Sequence, residues 1–220
     1  MNAARDELGR VSTVDALATA LRARILEGEL AAGERLTERD LTERYGVARH
    51  SVRAALRALA ADGLVTIEPH RGAHVASLDE AAVTSLFELR AALELEAAHL
   101  ALERNGGGLP DTVHDAVRRL KRVCERKHPS WSDVADAHND VHLAIVVAAR
   151  SDRIARAYDG LAGEMRVFVT AIRPHWTLER MAAQHEELLE GLEKRGPQAL
   201  REHLDAGART LLDEREKVPS

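Results

Sequence analysis

The chain has 220 residues, 45% of them hydrophobic and 30% charged, a balance that fits a folded soluble protein and excludes a disordered one. Aromatic residues make up only 3%, which argues against single-strand binding by base stacking. The longest purely apolar run, Leu143–Ala149, is far too short to span a bilayer, so no membrane partner is expected. The net charge of −5 is unevenly spread: residues 1–76 hold eleven basic and eleven acidic side chains, and the remaining 144 hold 20 basic and 25 acidic. Cys124 is the only cysteine, so an internal disulfide is excluded, and residues 1–10 carry Arg and Glu without an apolar core. A cytoplasmic location is the expectation.

In chain order, residues 1–11 read as a loose arm. Ser12-Thr13-Val14-Asp15 is a capping signal, and Val14, Leu17, Leu21 and Ile25 recur at helical spacing in a first helix that ends near Gly28. Leu30–Gly33 reads as a turn. Thr37-Glu38-Arg39-Asp40 starts a second short helix that ends at Tyr45-Gly46. A third helix over about 48–61 presents Val52, Ala55, Leu56 and Leu59 to a core and ends at Asp62-Gly63. Two β-prone pieces follow, Leu64–Ile67 and Ala73–Ala76, split by Pro69-His70-Arg71-Gly72. From Asp79 the pattern is helical almost throughout. Asp79 caps a long helix to about Asn105, with Leu86, Leu89, Leu93 and Leu100 on one side, and Gly106-Gly107-Gly108 with Pro110 breaks it. Further helices are expected at about 111–127, 131–149, 151–171, 177–195 and 198–214. The expected fold class is mainly α: an N-terminal winged helix-turn-helix domain, 1–77, and a C-terminal all-α helical bundle, 78–220.

Three helices followed by a hairpin are the layout of a unit that places its third helix in a DNA major groove with a wing beside it. Arg49 and Arg53 lie one turn apart, opposite Val52, Ala55 and Leu59, and arginines so placed can bond guanine O6 and N7 bidentately. His50 and Ser51 sit at the helix N-terminus, where donors meet phosphates. Arg71-Gly72 tips the wing and can reach the minor groove. For any single arginine, a solvated pair with a nearby carboxylate is the competing reading.

Residues Gly33, Leu36, Leu41, Gly46-Val47, Arg49, Val52-Arg53, Ala55-Leu56, Leu59, Gly63-Leu64 and Arg71-Gly72 carry a resemblance to the winged helix of the GntR family of bacterial transcription regulators, over about 14–76. The resemblance implies a further DNA contact at Arg39. It also exposes two departures: Ala48 stands where a serine is usual, and His50-Ser51 replaces a Thr-Pro pair, so the operator preference is expected to differ from that of relatives.

Eleven histidines are present, and His138 and His142 are spaced i, i+4 on one predicted helix, which puts both imidazoles on one face able to chelate a metal ion. This region resembles the helical ligand-binding domain of the FadR branch of the family, many members of which carry an Asp/His-plus-three-His site. The resemblance implies that His138 stands at the Asp position, His142 at the first His and His185 at the third ligand. The fourth family position falls on Gly207, while His203 lies one turn earlier, about 5.4 Å along a helix. Either His203 reaches the ion through a shift in the helix or the alignment, or water or effector completes the sphere. Histidine in place of aspartate makes the site softer and less anionic, leaning toward Zn or Ni over Mg or Ca. The resemblance also implies that Arg90 contacts the carboxylate of a small effector; a surface pair with Glu94 is the alternative.

The expected protein is a regulator, a repressor by the commoner mode, that binds double-stranded DNA carrying an inverted-repeat operator as a homodimer. Its helical domain is expected to bind a divalent metal ion and a small carboxylate effector. A regulator for which the metal itself is the signal is the alternative. A metal-dependent hydrolase is remote, because His185-Glu186-Glu187 does not reproduce a spacing such as H-E-x-x-H.

Overall fold

A computed structural model describes residues 12–216, with side chains to residue 213. The arm expected at residues 1–11 lies outside the described residues. The chain divides into two compact units between Ser77 and Leu78.

In the first unit, α1 (Thr13–Leu26) begins where the Ser12 hydroxyl accepts from the Asp15 amide at 3.1 Å, and it buries Leu17, Leu21, Ile25 and Leu26. Helix α2 (Glu38–Tyr45) is capped by Thr37 and closed by Gly46, whose φ of 64° is left-handed. Helix α3 (Arg49–Ala61) starts at Ala48 with no side-chain cap bond, the local cost of having alanine where serine is usual. It packs Val52, Ala55, Leu56 and Leu59 against α1 and α2. Arg22 on α1 pairs with Asp62 just past the end of α3.

The wing is β2 (Val65–Glu68) antiparallel to β3 (Gly72–Val75), in the register Val65↔Val75 to Glu68↔Gly72. The tip between them turns through His70 at φ 65° and Gly72 at φ 88°. A two-residue strand, β1 (Arg35–Leu36), pairs with the other side of β3, giving the order β1-β3-β2. Strand β1 falls just after the stretch read as a turn, and two residues are too few to show an alternating pattern.

The second unit is helical: α4 (Glu80–Arg104), α5 (Asp111–Cys124), α6 (Trp131–Ala148), α7 (Asp152–Asp159), α8 (Ala162–Ile172), α9 (Leu178–Arg195) and α10 (Pro197–Glu216). Asp79, Ser130 and Thr177 each cap the helix that follows through a hydroxyl or carboxylate oxygen. Helix α6 is central and packs on α4, α5, α7 and α8, while α10 lies along α4 and α9 lies along α5. The helix expected over 151–171 is two helices. The Leu161 amide bonds the Tyr158 carbonyl at 2.9 Å, a tight turn that interrupts the ladder at Gly160 and lets both Tyr158 and Leu161 reach the core.

The buried face of α4 also differs from expectation. Leu89 is 45% exposed, and Leu93 and Leu100 are half-buried. The packed side instead carries Val83, Leu86, Phe87, Ala97, Ala98 and Ala101, together with the charged pair Arg90 and Glu94. Small alanines allow α10 and α6 to approach α4 closely, and leucines there would hold them apart. No helix among the described residues is long and apolar enough to cross a membrane.

Candidate functional site

On the first unit, α3 presents Arg49, His50, Arg53 and Arg57 as exposed side chains. The Arg53 Nε donates to Glu38 Oε1 at 2.7 Å, which ties the guanidinium to α2. That hydrogen bond holds the Glu38 carboxyl below its ordinary range, with Arg49 and Arg57 adding to the effect. Ser51 does not share this face. It is 7% exposed on the packed side of the helix, because i+2 from Arg49 turns it inward, so its hydroxyl is withdrawn from any phosphate.

Arg39 is exposed and keeps only long contacts to Asp40 and Glu43 at 3.6 and 3.9 Å. Arg71 at the wing donates to Glu68 at 2.9 Å beside Gly72. A groove of about 390 Å3 runs between α3 and the sheet, walled by Arg35, Glu38, Arg53, Arg57, Ile67 and Gly72. Sequence reasoning left Arg35 and Arg57 out of the site. Arg57 was findable as the residue one turn beyond Arg53; Arg35 was hidden because the strand that places it is so short.

In the second unit, α6 brings His138 and His142 together with ring centroids 5.0 Å apart, α9 adds His185 at 4.8 Å from His138 and 5.5 Å from His142, and α10 adds His203 at 5.3 Å from His142 and 4.8 Å from His185. One nitrogen from each of His138, His142 and His185 lies within 4.8 Å of the others. These three side chains are buried and His203 is half-buried. Gly207, the position of the fourth ligand implied by the resemblance, offers no imidazole, and a Cβ there would sit tightly, 3.3 Å from the Phe87 ring and 3.5 Å from that of Phe168. The fourth imidazole near these three is that of His203, one turn earlier.

Burial, reinforced by the neighbouring imidazoles and Arg90, pushes His138 and His203 well below the ordinary histidine range. Burial and then Arg90 do the same to His142, and burial takes His185 down to about 4. All four are neutral at physiological pH, the form that ligates metal. The donors are also unused: among the described residues His138 Nδ1, His142 Nε2 and His185 Nε2 are buried without a hydrogen-bond partner. Buried polar atoms left unpaired in this way cost stability unless something binds them. A divalent ion fits this donor set.

Behind the histidines, Arg90 Nε donates to Glu94 Oε1 at 2.7 Å, and Glu94 Oε2 lies 2.7 Å from His142 Nδ1. Arg90 is 2% exposed and Glu94 fully buried, so the surface pair allowed for Arg90 is corrected to a buried one. Glu94 was missed because helical periodicity assigns charged residues to solvent. A cavity of about 190 Å3 between α9 and α10 is lined by Gln184, Glu187, Arg195, Glu202 and His203, and leads to the half-buried edge of the cluster.

A winged helix with an arginine row, joined in one chain to a helical bundle, is the architecture of a DNA-binding regulator. The family described as bacterial regulatory proteins, gntR family, matches residues 13–75, and the FCD domain matches residues 85–207. The chain belongs to the GntR family, with an FCD domain as its second unit.

It is 35% identical over 144 residues to the HTH-type transcriptional regulator BphR of Paraburkholderia xenovorans, an alignment covering 64% of this chain and 59% of that protein. It is 27% identical over 203 residues to the protein of Paenarthrobacter nicotinovorans named "Probable D-xylose utilization operon transcriptional repressor", covering 92% of this chain and 88% of the relative. A GntR transcriptional regulator from Rhodococcus sp. RHA1 shares the fold, with a TM-score of 0.67 at 24% identity over 91% of this chain and 97% of that one.

Proposed function

We propose that this chain is a FadR-type repressor that binds an inverted-repeat operator as a homodimer and releases it in response to a small organic acid bound beside a divalent metal, Zn or Ni. The observation that carries the reading is the exposed row Arg49, Arg53 and Arg57 on α3, flanked by the wing. The repressor sign follows the name of the Paenarthrobacter relative. Leu89, Leu93 and Leu100, left off the buried side of α4, supply apolar surface for a second copy.

His138, His142, His185 and His203 are the residues that would hold the ion, and a bound ion supplies a Lewis-acidic anchor for a carboxylate. The charge balance of this chain favours an anionic effector. The four imidazoles are neutral, and the one buried carboxylate among them, Glu94, is already matched by Arg90. The charge of a divalent ion would therefore stand uncompensated in a dry site until an anion joined it. A coupling of about 1–3 kcal/mol between that site and the operator gives roughly 5–150-fold induction.

Selection of random duplexes by the purified protein is expected to return an inverted repeat. Arg49→Ala and Arg53→Ala should each weaken binding to that repeat by about 5–150-fold and relax the preference at one position per half-site. Equal weakening on all duplexes would make the row a phosphate contact and remove the base-reading role. Substituting His50 should shift the selected sequence.

Native mass spectrometry of freshly purified protein is expected to show a dimer with one divalent ion per chain. Chelation, or His185→Ala, should remove that ion and abolish the effect of added carboxylates on operator binding. Unchanged effector response in metal-free protein would overturn the metal half of the proposal.

A further inference from the structure

The metal reading gives a role to four histidines and none to the carboxylate behind them. We propose that Glu94 is a positioning residue of this centre: it holds His142 in the tautomer whose Nε2 keeps a free lone pair, and Arg90 in turn orients Glu94. The effect on metal affinity rests on the proposed metal reading, whereas the tautomer belongs to the metal-free chain and stands apart from it.

Two groups compete for His142 Nδ1. Glu94 Oε2 lies at 2.7 Å and Arg90 Nη2 at 3.2 Å. A carboxylate oxygen has only lone pairs, so its contact requires a proton on Nδ1. A guanidinium has only N–H groups, so its contact as a hydrogen bond requires a lone pair on Nδ1. One nitrogen cannot satisfy both. The shorter contact, to a charged acceptor in a fully buried site, decides for Nδ1–H donating to Glu94.

The remaining nitrogen, Nε2, is then an acceptor, and it is the buried atom left without a partner among the described residues. His185 is set in the same way by a different device: its Nδ1 lies 2.7 Å from the Met181 carbonyl, which only accepts, and again Nε2 is left unpaired. Two helices thus offer two lone pairs of the same kind, one fixed by the main chain and one by Glu94.

Arg90 is held by Glu94 and by the Phe87 ring. Its Nε donates to Glu94 Oε1 at 2.7 Å, and its guanidinium carbon lies 4.8 Å from the centre of the Phe87 ring. The i, i+4 spacing on α4 sends one carboxylate oxygen to the arginine and the other to the histidine. An effector carboxylate drawn to Arg90 would compete with Glu94 for the same charge in a dry interior. Arg90 therefore orients the carboxylate that orients the histidine.

The experiment uses the full chain. Two-bond proton–nitrogen spectra of the metal-free protein at neutral pH, with His142 assigned through His142→Gln, are expected to show His142 protonated on Nδ1. In Glu94→Gln, whose single carbonyl oxygen is drawn to Arg90 Nε, and in the double variant Arg90→Met with Glu94→Met, the Nε2–H tautomer should become populated. Zn²⁺ affinity by chelator competition should fall about 10–100-fold in these variants, the usual effect of removing such a partner. The double variant removes both charges together and keeps a folded protein available if the single one fails, as circular dichroism will report.

Wild-type His142 protonated on Nε2 overturns the proposal, and so does unchanged Zn²⁺ affinity in a folded variant. A wild-type protein that takes up no Zn²⁺ sinks the metal reading instead, and the tautomer spectrum alone then decides the role of Glu94.

Discussion

Replacing Glu94 with alanine is expected to cost the helical unit about 3–5 kcal/mol, the characteristic penalty for leaving one member of a buried ion pair without its partner. Arg90 is 2% exposed and has no route to solvent without dismantling the packing of α4. Loss of Glu94 also leaves His142 Nδ1 without its acceptor and removes the negative charge beside Tyr158, whose phenol burial and Glu94 together push well above its ordinary range.

Arg90→Met alone should be destabilising for the converse reason, an unmatched carboxylate. The double variant Arg90→Met with Glu94→Gln should be much milder than the sum of the two singles, because no unpaired charge remains. Urea unfolding followed by tryptophan fluorescence isolates this unit, since Trp131 and Trp176 are the only tryptophans and both lie in it. Additive costs across the three variants would mean that the pair is not energetically coupled.

The metal-free helical unit should lose stability as pH falls from about 6.5 toward 4. An unfolded histidine takes up its proton near pH 6.5, whereas His185 in the fold holds off until about 4. Between those values the unfolded chain binds protons that the folded chain refuses, so unfolding is favoured as pH drops. At about 1.4 kcal/mol per pH unit of difference, His185 alone accounts for about 3 kcal/mol at pH 4. His138, His142 and His203 are shifted in the same direction and add to it. Unfolding midpoints in urea at pH 7.5, 6 and 5 should fall steadily, and the His138→Asn, His142→Gln and His185→Asn substitutions together should flatten the dependence. A metal-free protein equally stable at pH 7.5 and pH 5 would contradict the burial of neutral imidazoles.

Much of this molecule was legible in its sequence because local signals and tertiary needs agree there. Ser12, Thr37, Asp79 and Thr177 were readable as caps or helix starts because short polar side chains satisfy the free amides of a helix start, and the structure uses them so. Val52, Ala55, Leu56 and Leu59 recur with the helical period, and α3 buries them.

The misses share a cause. Strand β1 is two residues long, and its pairing partner lies almost forty residues away, so only tertiary structure reveals it. The break at Gly160-Leu161 carries no proline or left-handed glycine. The buried stripe of α4 was misplaced because a leucine count outweighed the alanines that permit close helix packing, and because an Arg and a Glu one turn apart look like a surface pair. At the site, the i, i+4 spacing of His138 and His142 was visible along the chain. His185 and His203 sit on other helices, and only the resemblance tied them to the same centre.

The glycine beneath the Phe87 and Phe168 rings has a consequence for how this centre can change. If relatives place an imidazole at the equivalent of Gly207, then this protein and those relatives are separated by a step in which packing takes part. A histidine introduced at 207 sets its Cβ 3.3 Å from an edge-to-face aromatic pair whose centroids are 5.0 Å apart, so the rings must give by a few tenths of an ångström. Losing His203 first leaves the cluster short of a donor. Reversal therefore asks the aromatic pair to yield as the ligand moves, so packing as well as the chemistry of the ligand bears on the present arrangement.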